Sequence, residues 1–484
     1  MNESRKYFFF DSGVVEAHEC ENASLLLVKA HKDTENSPVL REEYFSDSPK
    51  QWEVRYDNGY PNIFWDQEKK VFRLYYTTFI VDRGSAETAL DERRFKTYKP
   101  GHNRVTALCY AESQDGIKWT KPNLGLVEFN GNKANNIVLR NAHGTGVLFD
   151  PSDPDIGKRY KLITKMRYSE RNSYMAVAFS SNGIDFTVPQ AWSEFNPPAD
   201  THNFVFKDAR TNKYILITRL WKNGIRIPAV SESLDFVNWS RPIEVARGMG
   251  FRNQIYSMPV FQYGDVYLGL ASIYHDGDRL SEDFDTVDLS LLYSNDLKHF
   301  DWIEPESTLL ERGEGKYPDG AWDSGCIYAS SPVEIDNKLW IYYMGGNGPH
   351  TSFRETALGR ASLDKDKFAY YGPNDSTKEM IVTLRPASFY GKKLKILADI
   401  AETGWIKFEI LDPEDISLNA KVLGSTTIKE QIDTPEKGWY NMALGFPTFS
   451  NSDDTLVIRL RANRAKIYAI EGDLVILRRD GIEE

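Results

Sequence analysis

Three aspartates stand far apart in the chain. Asp57 precedes Asn58-Gly59-Tyr60, Asp200 precedes Thr201-His202, and Asp323 follows Trp322. Cleavage of a glycosidic bond needs one carboxyl group to protonate the leaving oxygen and a second to act as nucleophile or base. A third carboxylate often positions the acid or supports the cationic transition state. Near these aspartates lie groups suited to a hydroxylated ligand. Tyr60, Tyr256 and Trp322 offer flat apolar faces for the C–H surface of a sugar ring, and Arg167, Arg219 and Arg252 offer fixed donors. His143, His202, His350 and Asp288 add polar contacts, with Glu53 a further carboxylate to weigh. Taken singly, each has a structural use: Asp57 suits a turn, Asp200 a loop cap after Pro197-Pro198-Ala199, and Asp323 a backbone acceptor. The chemistry therefore depends on a fold that brings distant segments to one place.

A repeat in the sequence supplies such a fold. Ser113-Gln114-Asp115-Gly116-Ile117-Lys118-Trp119 returns as Ser180-Ser181-Asn182-Gly183-Ile184-Asp185-Phe186, and more loosely from Ser231 to Trp239 and from Ser294 to Trp302. A degenerate fifth copy runs from Ser362 to Phe368. Asp-Gly or Asn-Gly supplies the positive φ of a tight hairpin, and the aromatic restarts a strand. Each copy follows paired β-rich runs, such as Pro61–Asp66 with Phe72–Thr77 and Asn203–Asp208 with Tyr214–Arg219. Five units of four strands predict an all-β fold, a five-bladed β-propeller, with the residues before Trp52 adding an outer strand or wrapping the rim. In a propeller the first strands of the blades line a central channel. Their entrances, with the loops joining second and third strands, form one mouth, and Asp57, Asp200 and Asp323 fall on blades one, three and five. Asp115, Asp150 and Asp208 fall at turns away from it and read as structural.

The periodicity stops near Tyr371, and Gly372-Pro373-Asn374-Asp375-Ser376 reads as a linker. Beyond it, alternating runs such as Trp405–Leu411 and Leu456–Leu460 predict a β-sandwich. The expected domains are a propeller over 1–371 and a sandwich over 377–484. The length of 484 residues and the 41% hydrophobic content allow two full cores. A net charge of −11 argues against nucleic acid as the main partner. The three cysteines, Cys20, Cys109 and Cys326, are scattered without metal spacing, and neither a metal nor another cofactor is expected. Tyr7-Phe8-Phe9-Phe10 is too short for a signal-peptide core and no run spans a bilayer, which points to a soluble, cytoplasmic chain with no membrane partner. The oligomeric state is open.

Several segments carry a family resemblance. Trp52-Glu53, Tyr75-Tyr76, the stretch from Glu112 to Trp119, Lys121-Pro122-Asn123-Leu124-Gly125, Asn135-Asn136-Ile137-Val138, Arg159–Leu162 and Tyr342–Gly346 with His350 cover all five blades. Together they resemble the furanosidase superfamily of glycoside hydrolase families 32, 43 and 68, and most of all the family-32-like bacterial proteins. The resemblance implies hydrolysis of β-fructosides or pentofuranosides by carboxyl groups at the channel mouth, with Asp57 as the blade-one carboxylate. The family-32 sequences Asn-Asp-Pro-Asn-Gly and Arg-Asp-Pro are absent, and His18-Glu19-Cys20-Glu21 lies before blade one, where it matches no catalytic position. The polar inserts 81–102 and 275–287 lie toward the mouth and favour short, exo-acting substrates. The expected function is a glycosidase on a small carbohydrate. The alternatives are a non-catalytic sugar-binding propeller, or a phosphorylase or transferase on the same scaffold.

Overall fold

The computed structural model describes residues 4–168, 172–192, 195–429, 435–442 and 455–477. The chain divides into two compact units. One holds Lys29–Trp302 and Thr308–Leu363; the other holds Met1–Val28, Ile303–Ser307 and Asp364–Glu484.

The first unit is a five-bladed β-propeller. Blade one consists of Asn62–Asp66, Val71–Val81, Val105–Ser113 and Trp119–Thr120, with Ile137–Arg140 also pairing on Val105–Ser113. Blade two is Ala142–Phe149, Tyr160–Arg167, Ser173–Ser180 and Gln190–Ala191, and blade three is Phe204–Lys207, Tyr214–Lys222, Ile225–Ser233 and Ile243–Glu244. Blade four opens with two short pieces, Asn253–Ser257 and Val260–Tyr263, followed by Val266–His275, Val287–Ser294 and Asp301–Trp302. Blade five runs through Cys326–Ala329, Val333–Ile335, Lys338–Gly346 and Thr356–Asp364. Its outer edge comes from the other end of the chain: Leu40–Arg41 and His31–Lys32 pair antiparallel on Thr356–Asp364. The segment before Trp52 thus supplies the expected outer strand. It does so because the fifth repeat is degenerate and leaves that edge unpaired.

Hydrogen bonds between neighbouring blades close the ring. The Asn62 amide donates to the Thr145 carbonyl at 2.8 Å, and the Asn203 backbone N–H donates to the Gly144 carbonyl at 2.9 Å. Thr201 Oγ1 donates to the Tyr256 carbonyl at 2.8 Å, and Ser272 Oγ to the Ile327 carbonyl at 3.2 Å. The Ile63 N–H returns to Ser330 Oγ at 3.1 Å. The innermost strands lie so close that a Cβ on Gly146 would sit 1.9 Å from the Asn203 carbonyl oxygen, so only glycine fits.

A second tie repeats farther out. The last residue of an inner strand, or the one after it, is an aspartate that accepts from a tyrosine opening the second strand of the next blade. Tyr160 donates to Asp66 at 2.5 Å, Tyr214 to Asp150 at 2.8 Å and Tyr267 to Asp208 at 2.7 Å. The four hairpin repeats share one construction. Ser113, Ser180, Ser233 and Ser294 accept through Oγ from backbone N–H groups two and three residues on, and the residue at the third position has positive φ. It is Gly116 or Gly183 in two copies and the buried Phe236 or Leu297 in the others. In those two, core burial offsets the cost of a left-handed side chain.

Among the described residues, the second unit is a β-sandwich built on eight strands. Two long strands, Ala387–Leu411 and Thr455–Ile476, pair from Leu394 opposite Gly472 to Leu411 opposite Val457. Arg5–Phe8 adds to Thr455–Ile476, and Ala23–Leu27 pairs with Ala369–Pro373. Phe9, Val14, Ile396, Phe408, Leu460 and Ile470 are buried in its core.

Candidate active site

The segment Asp57–Tyr60 turns sharply into the first strand of blade one, with positive φ at Asp57 (57°), Gly59 (64°) and Tyr60 (42°). Side chains rarely adopt this conformation, and strain of this kind collects at functional sites. The turn is fixed from blade five: a Cβ on Gly59 would lie 2.3 Å from Met344 Cγ, and the Asp57 carbonyl accepts from Thr356 Oγ1 at 3.0 Å.

Asp57 Oδ1 receives Arg55 Nε at 3.0 Å and Arg354 Nη2 at 2.8 Å. Burial alone would raise the Asp57 pKa, but the charges of Arg354 and Arg55 outweigh it and hold the carboxyl well below the usual range. The Asp57 side chain is 22% exposed, and Oδ2 accepts no hydrogen bond from the described residues. Arg354 is buried. It also bonds Asn58 Oδ1 at 2.6 Å and the His350 carbonyl.

Asp200, entering blade three, pairs with His143 Nε2 at 3.0 Å and with Arg219 Nη2 at 3.4 Å. The hydrogen bond from His143 is the main reason its carboxyl also stays below the ordinary range; burial opposes this, and the charges of His143 and Arg219 add to it. Its side chain is 67% exposed.

A sleeve of aromatic rings joins the two aspartates. Asn58 Nδ2 donates to the Tyr60 hydroxyl at 2.9 Å and the Tyr256 hydroxyl at 3.3 Å. The Tyr60 ring lies 5.6 Å from His143 and 5.7 Å from His202, and Arg219 stacks on Tyr256 at 4.7 Å. His350 lies 4.7 Å from Tyr256 and takes a 2.7 Å hydrogen bond with the Tyr328 hydroxyl. Its imidazole is held neutral, first by burial and then by the Arg354 guanidinium. His202 is buried against Asn62 Oδ1 at 3.2 Å, and burial pushes it down to about 3.

Of the sequence candidates, Asp57, Tyr60, His143, Asp200, His202, Arg219, Tyr256 and His350 fall in this one network. Others lie elsewhere. Asp323 is buried between Lys32 Nζ at 2.6 Å and the Tyr343 hydroxyl at 2.9 Å, so it anchors the strand that closes blade five. Trp322 stacks on Tyr343 at 5.5 Å and lines a separate cavity of about 210 Å³ with Glu42 and Glu355. Arg252 is 75% exposed and reaches only Asp278, at 3.8 Å. Arg167 is exposed, with one hydrogen bond to the Arg104 carbonyl. Asp288 bridges His275 Nε2 and Arg312 Nε, each at 2.6 Å, in a half-buried chain of its own. Glu53 is fully buried on Lys121, Tyr56 and Tyr76. Among the described residues no group of three or more histidine, cysteine or acidic side chains is placed to hold a metal.

Sequence reasoning missed Arg55, Asn58, Arg226, Tyr328 and Arg354. Arg55 and Asn58 flank Asp57, and Arg354 follows His350 by four residues, so proximity to a candidate was the available signal.

No protein-family model and no curated protein matches the chain. Solved structures similar to it include a glycosyl hydrolase from Bacteroides ovatus, 15% identical, covering 72% of this chain and 97% of that one with a TM-score of 0.45. An N-acetylgalactosamine deacetylase from F. plautii in complex with blood group B trisaccharide is 14% identical and covers 70% and 95%, with a TM-score of 0.43. A fructofuranosidase from Schwanniomyces occidentalis complexed with fructosylnystose is 14% identical and covers 93% and 99%, with a TM-score of 0.40.

Proposed function

We propose that the protein is a glycoside hydrolase acting on short carbohydrates, with Asp57 and Asp200 at its centre. The observation that carries this reading is that carboxylates from blades one and three share one network of arginines, tyrosines and histidines while each keeps solvent-accessible surface. Asp57 is too acidic to be an efficient base near neutral pH, because a general base works best with a pKa near the working pH. It suits a nucleophile that forms and then releases a glycosyl ester, which gives retention at the anomeric carbon.

The proton for the leaving oxygen is assigned to His143. When protonated, it donates through Nε2 to Asp200, and its Nδ1–H remains to reach the substrate. Insert 81–102 supports a short substrate: Tyr98 packs on Arg55 at 4.4 Å and on Phe353 at 5.2 Å, beside Asp57. By the resemblance in the sequence, furanosides cleaved from one end are the first substrates to try.

A panel of aryl furanosides and pyranosides, with short fructans and arabinans, tests the reading. Turnover with retained configuration, read by NMR of the first product, supports it. Sugar binding without turnover turns it into a sugar-binding propeller. That second reading has a specific motive, since both carboxylates are already ion-paired. Neither turnover nor binding across the panel, with charged sugars added to it, removes both.

A further inference from the structure

Four guanidinium groups from three parts of the propeller lie in or beside this network of tyrosines and aspartates. Arg55 precedes blade one, Arg219 and Arg226 lie on the second and third strands of blade three, and Arg354 lies in the loop before the third strand of blade five. Arg219 and Arg226 approach the Tyr256 ring at 4.7 and 5.4 Å, and Arg226 lies 4.8 Å from Tyr274. Arg354 holds the His350 carbonyl, and the His350 ring lies 4.7 Å from Tyr256 and 4.9 Å from Tyr274. Arg55 meets Arg354 on one oxygen of Asp57.

Each of the four keeps one buried nitrogen with no acceptor: Arg55 Nη1, Arg219 Nε, Arg226 Nε and Arg354 Nε. Among the described residues the other two buried side-chain nitrogens without an acceptor are the indoles of Trp119 and Trp192, so the shortage of acceptors is concentrated at this site. Three carboxylates, Asp57, Asp200 and Asp276, are the ones that pair with the four guanidiniums. A fourth carboxyl side chain, Asp285, lies in the same neighbourhood on the Tyr274 hydroxyl and Thr351, so what the cluster lacks is acceptors for these nitrogens. A buried guanidinium N–H without an acceptor is costly, and a charged oxygen is its strongest partner.

We propose that the substrate is a sugar bearing its own oxyanion, a carboxylate, sulfate ester or phosphate ester, which these arginines hold. This rests on the glycoside-hydrolase reading for its sugar and supplies the missing acceptor.

The test is calorimetric binding to matched pairs: methyl glucoside against methyl glucuronide, methyl galactoside against methyl galacturonide, and galactose and glucose against galactose 6-sulfate and glucose 6-phosphate. Inorganic sulfate and phosphate serve as ring-free controls. The expected result is that at least one charged member binds about tenfold or more tightly than its neutral partner, the factor that one added charge-assisted hydrogen bond supplies. Added salt should narrow the gap. The charged arm that wins names the source of the oxyanion. Arg226→Gln should close the gap, and Arg226→Lys should restore part of it by returning charge without the planar fork.

Equal binding of neutral and charged members overturns the proposal. So does inorganic sulfate or phosphate binding as tightly as the charged sugars, or no binding by any probe. The wild-type pairs and their salt dependence need no variant, so a misfolded Arg226→Gln would not shield the idea. Charged sugars that bind but are never cleaved leave this inference standing and remove hydrolysis. Cleavage of neutral sugars with no charge preference does the reverse.

Discussion

His143 Nε2 lies 3.0 Å from Asp200 Oδ1, which ties the inner strand of blade two to the entrance of blade three. The pair places a proton carrier beside a carboxylate that is held ionised, while the second ionised carboxylate, Asp57, belongs to blade one. On the proposed reading, an acid and a nucleophile on different blades keep their spacing only as well as the ring holds its shape.

Removing the Asp57 charge should stop the chemistry without emptying the site. Asp57→Asn is expected to lower kcat by roughly 10²–10⁴-fold while KM changes far less. Steady-state kinetics on the best substrate of the panel checks this, and a near-normal kcat would clear Asp57 of a covalent role.

Asp323→Asn should behave differently. It leaves Lys32 without its 2.6 Å partner where the outer strand joins blade five, so the loss belongs to stability, about 1–3 kcal/mol. Urea melts should show it, with kcat within a few-fold of wild type. A loss of kcat comparable to that of Asp57→Asn would return Asp323 to the reacting centre.

Acid should destabilise the propeller through His202. Burial lowers this imidazole from 6.5 to about 3, so the folded state keeps it neutral while the unfolded chain takes up a proton below 6.5. Its contribution is complete above pH 6.5 and disappears progressively as the pH falls toward 3. At pH 5 the loss amounts to about 2 kcal/mol. His202→Gln should flatten the fall in denaturant midpoint between pH 7 and pH 5; an unchanged slope would mean that other groups carry it.

The tyrosine–aspartate ties between blades should be worth about 1–3 kcal/mol each, because each ends on a carboxylate. Tyr214→Phe and Tyr267→Phe remove the hydroxyls that reach Asp150 and Asp208. Equilibrium unfolding of the single and double variants should show near-additive losses, since the pairs lie on successive blade junctions.

Gly183→Ala should cost more than a surface change. The new Cβ would sit 2.7 Å from Arg73 Nη1 and 2.7 Å from the Tyr75 hydroxyl, at a φ of 76°. Thermal melting at pH 7 should fall by several degrees, whereas Gly224→Ala, at the same φ but with nothing within 4 Å, isolates the backbone part of the loss.

The blades were legible because their signals are local. The Ser-x-x-Gly hairpin and the paired β runs recur at regular spacing, and each needs only its own neighbours to form. The copies at Phe236 and Leu297 were loose for a physical reason: a buried apolar side chain replaces glycine at the left-handed position. The site was legible only in part. Asp57, Asp200 and the histidines could be placed by counting blades, because inner-strand entrances share one end of a channel. Trp322 and Asp323 obeyed the same count, yet their side chains turn into blade five, because Gly345 and Gly359 leave room for the indole and Lys32 supplies a counter-charge from 291 residues away. Of the arginine cluster only Arg219 was expected, because the members come from blades one, three and five and no spacing in the sequence links Arg55 to Arg354.

Strand His31–Lys32 meets its partners Ala361 and Ser362 only after some 330 intervening residues have been made. During synthesis on the ribosome, the early segment has nothing to pair with, and the last blade emerges with a bare edge. Ring closure is thus a late, all-or-none event in the life of each new molecule. A chain cut short before Thr356 would carry four blades, an orphaned leading strand and a loose Asp57 turn, and it would be a substrate for chaperones and proteases before it was ever a closed ring.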